Sequence, residues 1–283
     1  MTNWPENYCD SWTLGDSATM SGIGLHTGQE SKVNLHPTDK PGFHISWSGE
    51  NKKPVTLSPS QVKNSPLCTT IEIDGKKIAT VEHLLAALVG CGLTHVHIEV
   101  TGSEVPLLDG SALSWVEVIE QSKIVKSSSP KKTGPILTQS ISLNRGLSFI
   151  NATPSENFKL IGIIDFPYEA IGTQMFSIEL TPKKFVEEIA PARTFGFADQ
   201  LSELKKAGLI KGGALNNALV CDGSSWINPP LRFKDEPVRH KLLDLIGDLA
   251  LVGIPNAQIL VYKGSHALHA DLSSALVKFS KSN

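Results

Sequence analysis

Cysteine is scarce: the 283 residues hold four, at Cys9, Cys68, Cys91 and Cys221, with no CxxC pair. That excludes a disulfide framework and a cysteine zinc site, and fits reduced thiols of the cytosol. Any transition metal must then be held by histidine and carboxylate. Basic residues are missing from the first thirty-one positions, where a secretory signal or transit peptide would carry them, so we expect a cytoplasmic protein. No apolar run approaches the roughly 18 residues of a membrane span, and no transmembrane segment is expected. An excess of one charge is also lacking. Twenty-six Lys and Arg face 28 Asp and Glu, a net charge of -2, and no basic stripe invites nucleic acid. HExxH, GxSxG and the Walker sequence are absent, and Gly22–Gly28 is not a GxGxxG.

What is present is an ordinary globular composition, 40% apolar and 19% charged. The length suits two domains, which we divide as 1–127 and 128–283 around a Ser, Lys and Pro-rich linker at 126–135. Lys52–Lys53, Lys131–Lys132 and Lys205–Lys206 read as solvated faces. In the first half, short strands with Gly, Pro and Asn turns surround a helix from Val81 to Leu88. Thr80 is its expected cap, and Gly90 and Gly92 its stop. A strand follows at His95–Val100, then a second helix after Asp109-Gly110, through Trp115 to Ile119. In the second half, strands are expected at Phe158–Phe166 and Met175–Leu180. Pro182 opens a short helix near Phe185–Ile189, and another spans Asp199–Ala207. The longest helix is expected from Val238 to about Val252, before a strand at Ala257–Tyr262.

The halves share a plan: a helix with a histidine in its first turn, a glycine stop, then an apolar strand. Gly102-Ser103 recurs as Gly264-Ser265 and Asp109 as Asp271, each 162 positions later. We therefore expect an α+β fold of two domains of similar β/α topology, packed face to face with helices sandwiched between sheets. A site drawing on both helices belongs at such an interface.

Five stretches could carry chemistry. Glu82-His83 opens a helix, where the dipole favours a carboxylate and both side chains can reach a point beyond the end. A surface Glu beside a partly buried His is the plainer alternative. His240, Asp244 and Asp248 stand one turn apart on one helical face and could grip a cation, or form a common i, i+4 surface pair. His266 follows a strand on a glycine turn and could project into a cleft, or be structural. Thr194, among the aromatics of Arg193–Phe197, could donate to an oxyanion or cap its own turn. Gly22–Gly28 gives a tight turn holding His26. Taken together, these residues point to a His/Asp metal site between two α+β domains.

Six stretches in order resemble one family: SGIGLHTG at 21–28, TVEHLLAAL at 80–88, EVPLLDGSA at 104–112, ARTFGF at 192–197, LRFKDEPVRHKLLDLIGDL at 231–249 and YKGSHAL at 262–268. They are similar to the UDP-3-O-acyl-N-acetylglucosamine deacetylases, zinc enzymes of the committed step of lipid A synthesis. The resemblance implies Zn²⁺ on His83, His240 and Asp244. It implies Glu82 as general base and His266 as cationic partner or general acid, oriented by Asp248, with Thr194 at the oxyanion. It places Lys241, Phe195, Asp165, Phe166 and Lys263 on the sugar-nucleotide, with Leu67, Cys68 and His26 beside the substrate. Residues 198–220 match an insert that forms an acyl-chain tunnel, lined by Leu201, Ile210, Ala214, Leu215 and Ala218. The partner is an acylated UDP-amino-sugar, and a monomer is expected. Pro229-Pro230, Pro237 and the amides Asn216-Asn217 depart from the family pattern. A zinc amidase for another sugar or peptide, or a binding protein with a structural metal, are the rival readings.

Overall fold

Buried and more open side chains alternate along Ala257–Tyr262 and Lys159–Asp165, as they do when a sheet turns one face to a core. The computed structural model describes residues 4–280 apart from 64, 66 and 131–133, so the Lys131–Lys132 pair and part of the expected linker lie outside the described residues. Strands β1 (Ala18–Ile23), β2 (Glu30–His36), β3 (Gly42–Trp47), β4 (Val55–Thr56) and β5 (His95–Val100) form one sheet, ordered β1-β2-β5-β3-β4. Strands β6 (Ile141–Arg145), β7 (Ser148–Pro154), β8 (Lys159–Asp165), β9 (Thr173–Glu179) and β10 (Ala257–Tyr262) form another, ordered β6-β7-β10-β8-β9. The two orders are the same. In each sheet the last strand in sequence, β5 or β10, runs antiparallel to one neighbour and parallel to the other. The two begin at His95 and Ala257, 162 positions apart, the offset of the sequence repeat.

Five helices matter for the site: α1 (Glu82–Gly90), α2 (Leu113–Gln121), α3 (Leu201–Lys206), α4 (Glu236–Leu249) and α5 (His266–Ser280). Every residue of α1 is buried, and all of α4 except Arg239 and Lys241. Helices that are covered all round lie between layers. Here α1 packs on α2 and α4, α4 packs on β8, β9 and α5, and α5 covers β6 and β7. One continuous core takes Leu84 and Leu88 from α1, Leu242 and Leu249 from α4, and Val33, Ile98, Ile150 and Ile259 from the sheets. The fold is α+β, two β/α units with helices between their sheets. Each unit also carries a small sheet ahead of its buried helix. One is formed by Val62–Lys63, Thr70–Ile73 and Lys76–Ile78, the other by Phe195–Phe197, Leu219–Asp222 and Ser225–Trp226.

Local expectations fail where a tertiary partner displaces a local one. Thr80 does not cap α1. Its backbone stands at φ 57°, its hydroxyl donates to Glu104 at 2.8 Å, and Val81 takes the cap position. The longest helix is α5, of 15 residues, against 14 for α4, which starts two residues before Val238 with Pro237 in its first turn. Ile124–Lys126, partly assigned to a linker, pairs as a strand with Trp12–Leu14. The expected helix at 199–207 is a 3₁₀ turn at Ala198–Gln200 followed by α3. Thr181 caps a single turn at Pro182–Lys184, and Phe185–Ile189 is a π turn. Asp109 and Asp271 share an offset and each pairs with an arginine, Arg232 and Arg145, but Asp109 also binds Ser111 in a turn.

Candidate active site

The two buried helices cross tightly because α4 has a glycine at the crossing. A Cβ on Gly247 would lie far inside van der Waals contact of the Glu82 carbonyl oxygen. The crossing sets Glu82 and His83, in the first turn of α1, against the face of α4 that carries His240, Asp244 and Asp248.

His83, His240 and Asp244 are all buried, and their donor atoms lie within 4.8 Å of one another. Asp244 Oδ1 is 3.7 Å from His83 Nε2 and 3.4 Å from His240 Nε2. The imidazoles meet edge to face, with centroids 5.0 Å apart. His240 Nδ1 faces the Ala192 carbonyl at 3.0 Å, which fixes the proton on Nδ1 and turns the Nε2 lone pair inward. Burial pushes His240 down to about 4, against the raising effect of Asp244, so the ring is neutral at pH 7. A neutral imidazole lone pair aimed at a carboxylate oxygen is repulsive unless a cation stands between them. Two imidazoles and one carboxylate converging in this way suit a divalent transition metal. Lys241 Nζ donates to the other Asp244 oxygen at 2.7 Å. Burial alone would raise Asp244, but Lys241 and His240 hold it well below the usual carboxylate range.

Beside this group, Glu82 is 3% exposed and its Oε2 accepts from the Thr69 backbone N–H at 2.9 Å. Burial raises its pKa, with His266 and His83 opposing. His266, the first residue of α5, brings Nε2 to 4.0 Å from Glu82 Oε1. Its Nδ1 donates to Asp248 Oδ2 at 2.9 Å. Burial disfavours the imidazolium, but the Asp248 carboxylate outweighs it and lifts His266 to about 10. Asp248 answers in kind. Burial raises it, His266 and His269 lower it more, and it settles at about 2.

Glu82, His83, His240, Asp244 and His266 floor a polar cavity of about 300 Å³, which Lys241, Phe166, Thr194, Phe195, Leu67 and Cys68 also line. An adjoining groove of about 400 Å³ shares Leu67, Thr194 and Phe195, and adds Leu201, Ile210, Ala214, Leu215 and Ala218. His26 lines the groove as well. Thr194 stands at the junction because its N–H binds the Gly110 carbonyl at 2.7 Å, while Arg193 is anchored on Glu236 at the start of α4. Asp165 and Lys263 line neither space. They pair at 2.9 Å where β8 and β10 end, and the Lys263 bond lowers the pKa of Asp165. Asn217 does not enter the groove, since its amide binds Ala214 N and Gly212 O.

Two neighbours escaped the sequence reading. Thr69 donates to Asp248 Oδ1 through its hydroxyl and to Glu82 through its backbone, with no motif to betray it. His269 donates Nδ1 to Asp248 Oδ2 at 2.8 Å. It lies three residues after His266, so predicting a helix from His266 would have placed both on one face.

The family described as UDP-3-O-acyl N-acetylglycosamine deacetylase matches residues 11–278. A UDP-3-O-acyl-N-acetylglucosamine deacetylase of Thermosynechococcus vestitus is 45% identical over 271 residues, 94% of this chain and 93% of that one. One from Synechocystis is 45% identical over 268 residues, 93% and 97% of the two chains. A protein of Arabidopsis thaliana called probable UDP-3-O-acyl-N-acetylglucosamine deacetylase 1, mitochondrial, is 38% identical over 289 residues, covering 93% and 87%.

Proposed function

The chain belongs to the UDP-3-O-acyl N-acetylglycosamine deacetylase family, and from that premise we propose how its own residues carry out the reaction. The enzyme hydrolyses the acetamide of UDP-3-O-acyl-N-acetylglucosamine. Water adds across the C–N bond, acetate leaves, and the sugar keeps a free 2-amine, a step of lipid A synthesis in the cytoplasm. The observation that carries this reading is the convergence of His83, His240 and Asp244 beside Glu82 and His266, on the floor of a polar cavity that opens into an apolar groove.

His83, His240 and Asp244 would hold a zinc ion, two imidazoles and a carboxylate being a donor set that suits it. Zinc bound there supplies Lewis acidity toward the amide carbonyl and makes water nucleophilic at neutral pH. Glu82 takes the proton of the attacking water. The Thr194 hydroxyl donates to the oxygen that gains charge. His266 is cationic, held so by Asp248, and balances that charge. The amine leaves as a neutral group only when protonated, and Glu82 and His266, 4.0 Å apart, are both in reach to supply the proton.

Lys241, Phe166 and Phe195 bind the sugar-nucleotide in the polar cavity, and the Asp165–Lys263 pair, outside that cavity where β8 and β10 end, meets its far part. Leu67, Cys68 and His26 flank the sugar and its ester. The acyl chain lies between Leu201, Ile210, Ala214, Leu215 and Ala218. Acetate release from acylated UDP-N-acetylglucosamine, followed with and without a chelator, tests this. Release should stop on chelation and return with zinc. Release unaffected by full metal removal would defeat the metal reading. Equal turnover of the unacylated sugar-nucleotide would defeat the groove.

A further inference from the structure

Glu104 has no part in the chemistry above, yet its side chain accepts four hydrogen bonds close to the site. It is 1% exposed. Oε1 accepts the His26 N–H at 2.9 Å and the Thr80 hydroxyl at 2.8 Å. Oε2 accepts the Thr27 N–H at 2.8 Å and the Thr27 hydroxyl at 2.7 Å. Four donors fill what an acceptor-only carboxylate offers. Gly24 lies against the same group, and a Cβ there would collide with Oε2.

Each arm of this clamp ends in something the reaction needs. On one side, residues 24–28 form the lip of the groove, where Leu25 and His26 line it. The carbonyls of Leu25 and His26 accept from the N–H groups of Gly212 and Lys211, at 3.0 and 3.4 Å, so the lip is sewn to the insert of the other half. Both His26 ring nitrogens are buried and have no hydrogen-bond partner among the described residues. On the other side, Thr80 stands at φ 57°, a region costly for a β-branched residue, two positions before Glu82. Its hydroxyl bond to Glu104 joins the backbone bonds of Ala79 and Val81 in fixing that turn.

We propose that Glu104 is a positioning residue for acyl-chain selection, tying the lip of the groove to the turn that delivers Glu82 and His83. The proposal rests on the reading of the groove as the acyl site. With the clamp intact, the lip keeps its shape when a chain enters, and His26 keeps its place where polar cavity and groove meet. Binding energy from the chain then reaches the reacting end instead of being lost in lip movement.

The test compares wild type, Glu104→Gln and Thr27→Val on UDP-N-acetylglucosamine carrying a long or a short acyl chain. The glutamine side chain is isosteric with the native one, but its NH₂ end must face two donors whichever way it turns. The long-over-short preference in kcat/KM should fall about tenfold in Glu104→Gln and by less in Thr27→Val, with bound zinc unchanged. Loss of folded protein lowers both substrates together and leaves the ratio alone. A wild-type ratio in Glu104→Gln overturns the proposal. A wild type without chain preference overturns the groove reading instead. In that case amide exchange carries the test of the clamp: protection at 26, 27, 211 and 212 lost in Glu104→Gln supports it, and protection kept overturns it.

Discussion

Asp248 shares two oxygens among three donors: His266 and His269 on Oδ2, Thr69 on Oδ1. This has consequences for pH. His266 is lifted from 6.5 to about 10, so its contribution to stability is complete below pH 6.5 and is lost as pH rises through 10. Asp248 is lowered from 3.8 to about 2, so its contribution is present above pH 3.8 and is lost as pH falls through 2. Asp248→Asn should therefore lower the urea midpoint of the metal-free protein more at pH 5.5 than at pH 10. An equal loss at both would show that the ion pair does not contribute. In catalysis, a base that must be ionised and an acid that must be protonated give a bell-shaped kcat/KM profile. The basic limb should move to lower pH in Asp248→Asn. Glu82→Gln and His266→Ala should each lose roughly 10²-fold or more in kcat at full metal content, measured by acetate release. A Glu82→Gln enzyme with near-normal kcat would remove Glu82 from the base role.

At the scale of elements, the site depends on how closely α1 and α4 approach. Gly247 allows that approach, since any side chain there meets the Glu82 carbonyl. Gly247→Val should cost about 3 kcal/mol or more of unfolding free energy by overpacking. It should also lower metal occupancy, because it pushes Glu82 and His83 away from His240 and Asp244. Urea unfolding with metal analysis on the same sample checks both. A destabilised variant that still binds a full ion would mean that the crossing is structural only. In the insert, Ala214 lines the groove, and Ala214→Trp should reduce kcat/KM for long chains more than for short ones.

At the scale of the whole molecule, two units of the same strand order share the main core, and a smaller cluster around Ile164, Ile171, Cys221 and Val238 lies apart from it. The proposed ligands are split between those units, His83 on α1 and His240 and Asp244 on α4. An ion that binds only the assembled pair stabilises it by mass action. Removing metal should lower Tm, and adding about one zinc per chain should restore it. His83→Ala, His240→Ala and Asp244→Ala should each lose that response along with activity. A Tm rise of full size in all three would remove the assignment. No helix of the described residues is long and apolar enough to cross a membrane.

The sequence alone determined the elements whose signals are local and strong. The alternating strand at 95–100, the apolar strand at 257–262, the helix after Thr80 and the repeat at 162 positions were legible, because side-chain pattern and glycine stops act within a few residues. Residue types and spacing also gave His240 and Asp244 one face, and the family resemblance named the remaining partners. Tertiary structure decided what depends on distant contacts. Thr80 left its cap for Glu104, 24 residues away. Thr69 reached Asp248 across 179 residues, and His269 turned to the same carboxylate across 21. A hydrogen bond between remote segments has no local signal, since its partner is chosen only when the two units close on each other. For that reason the chemistry of Glu82 and His83 was readable as a motif, while the network that holds it in place was not.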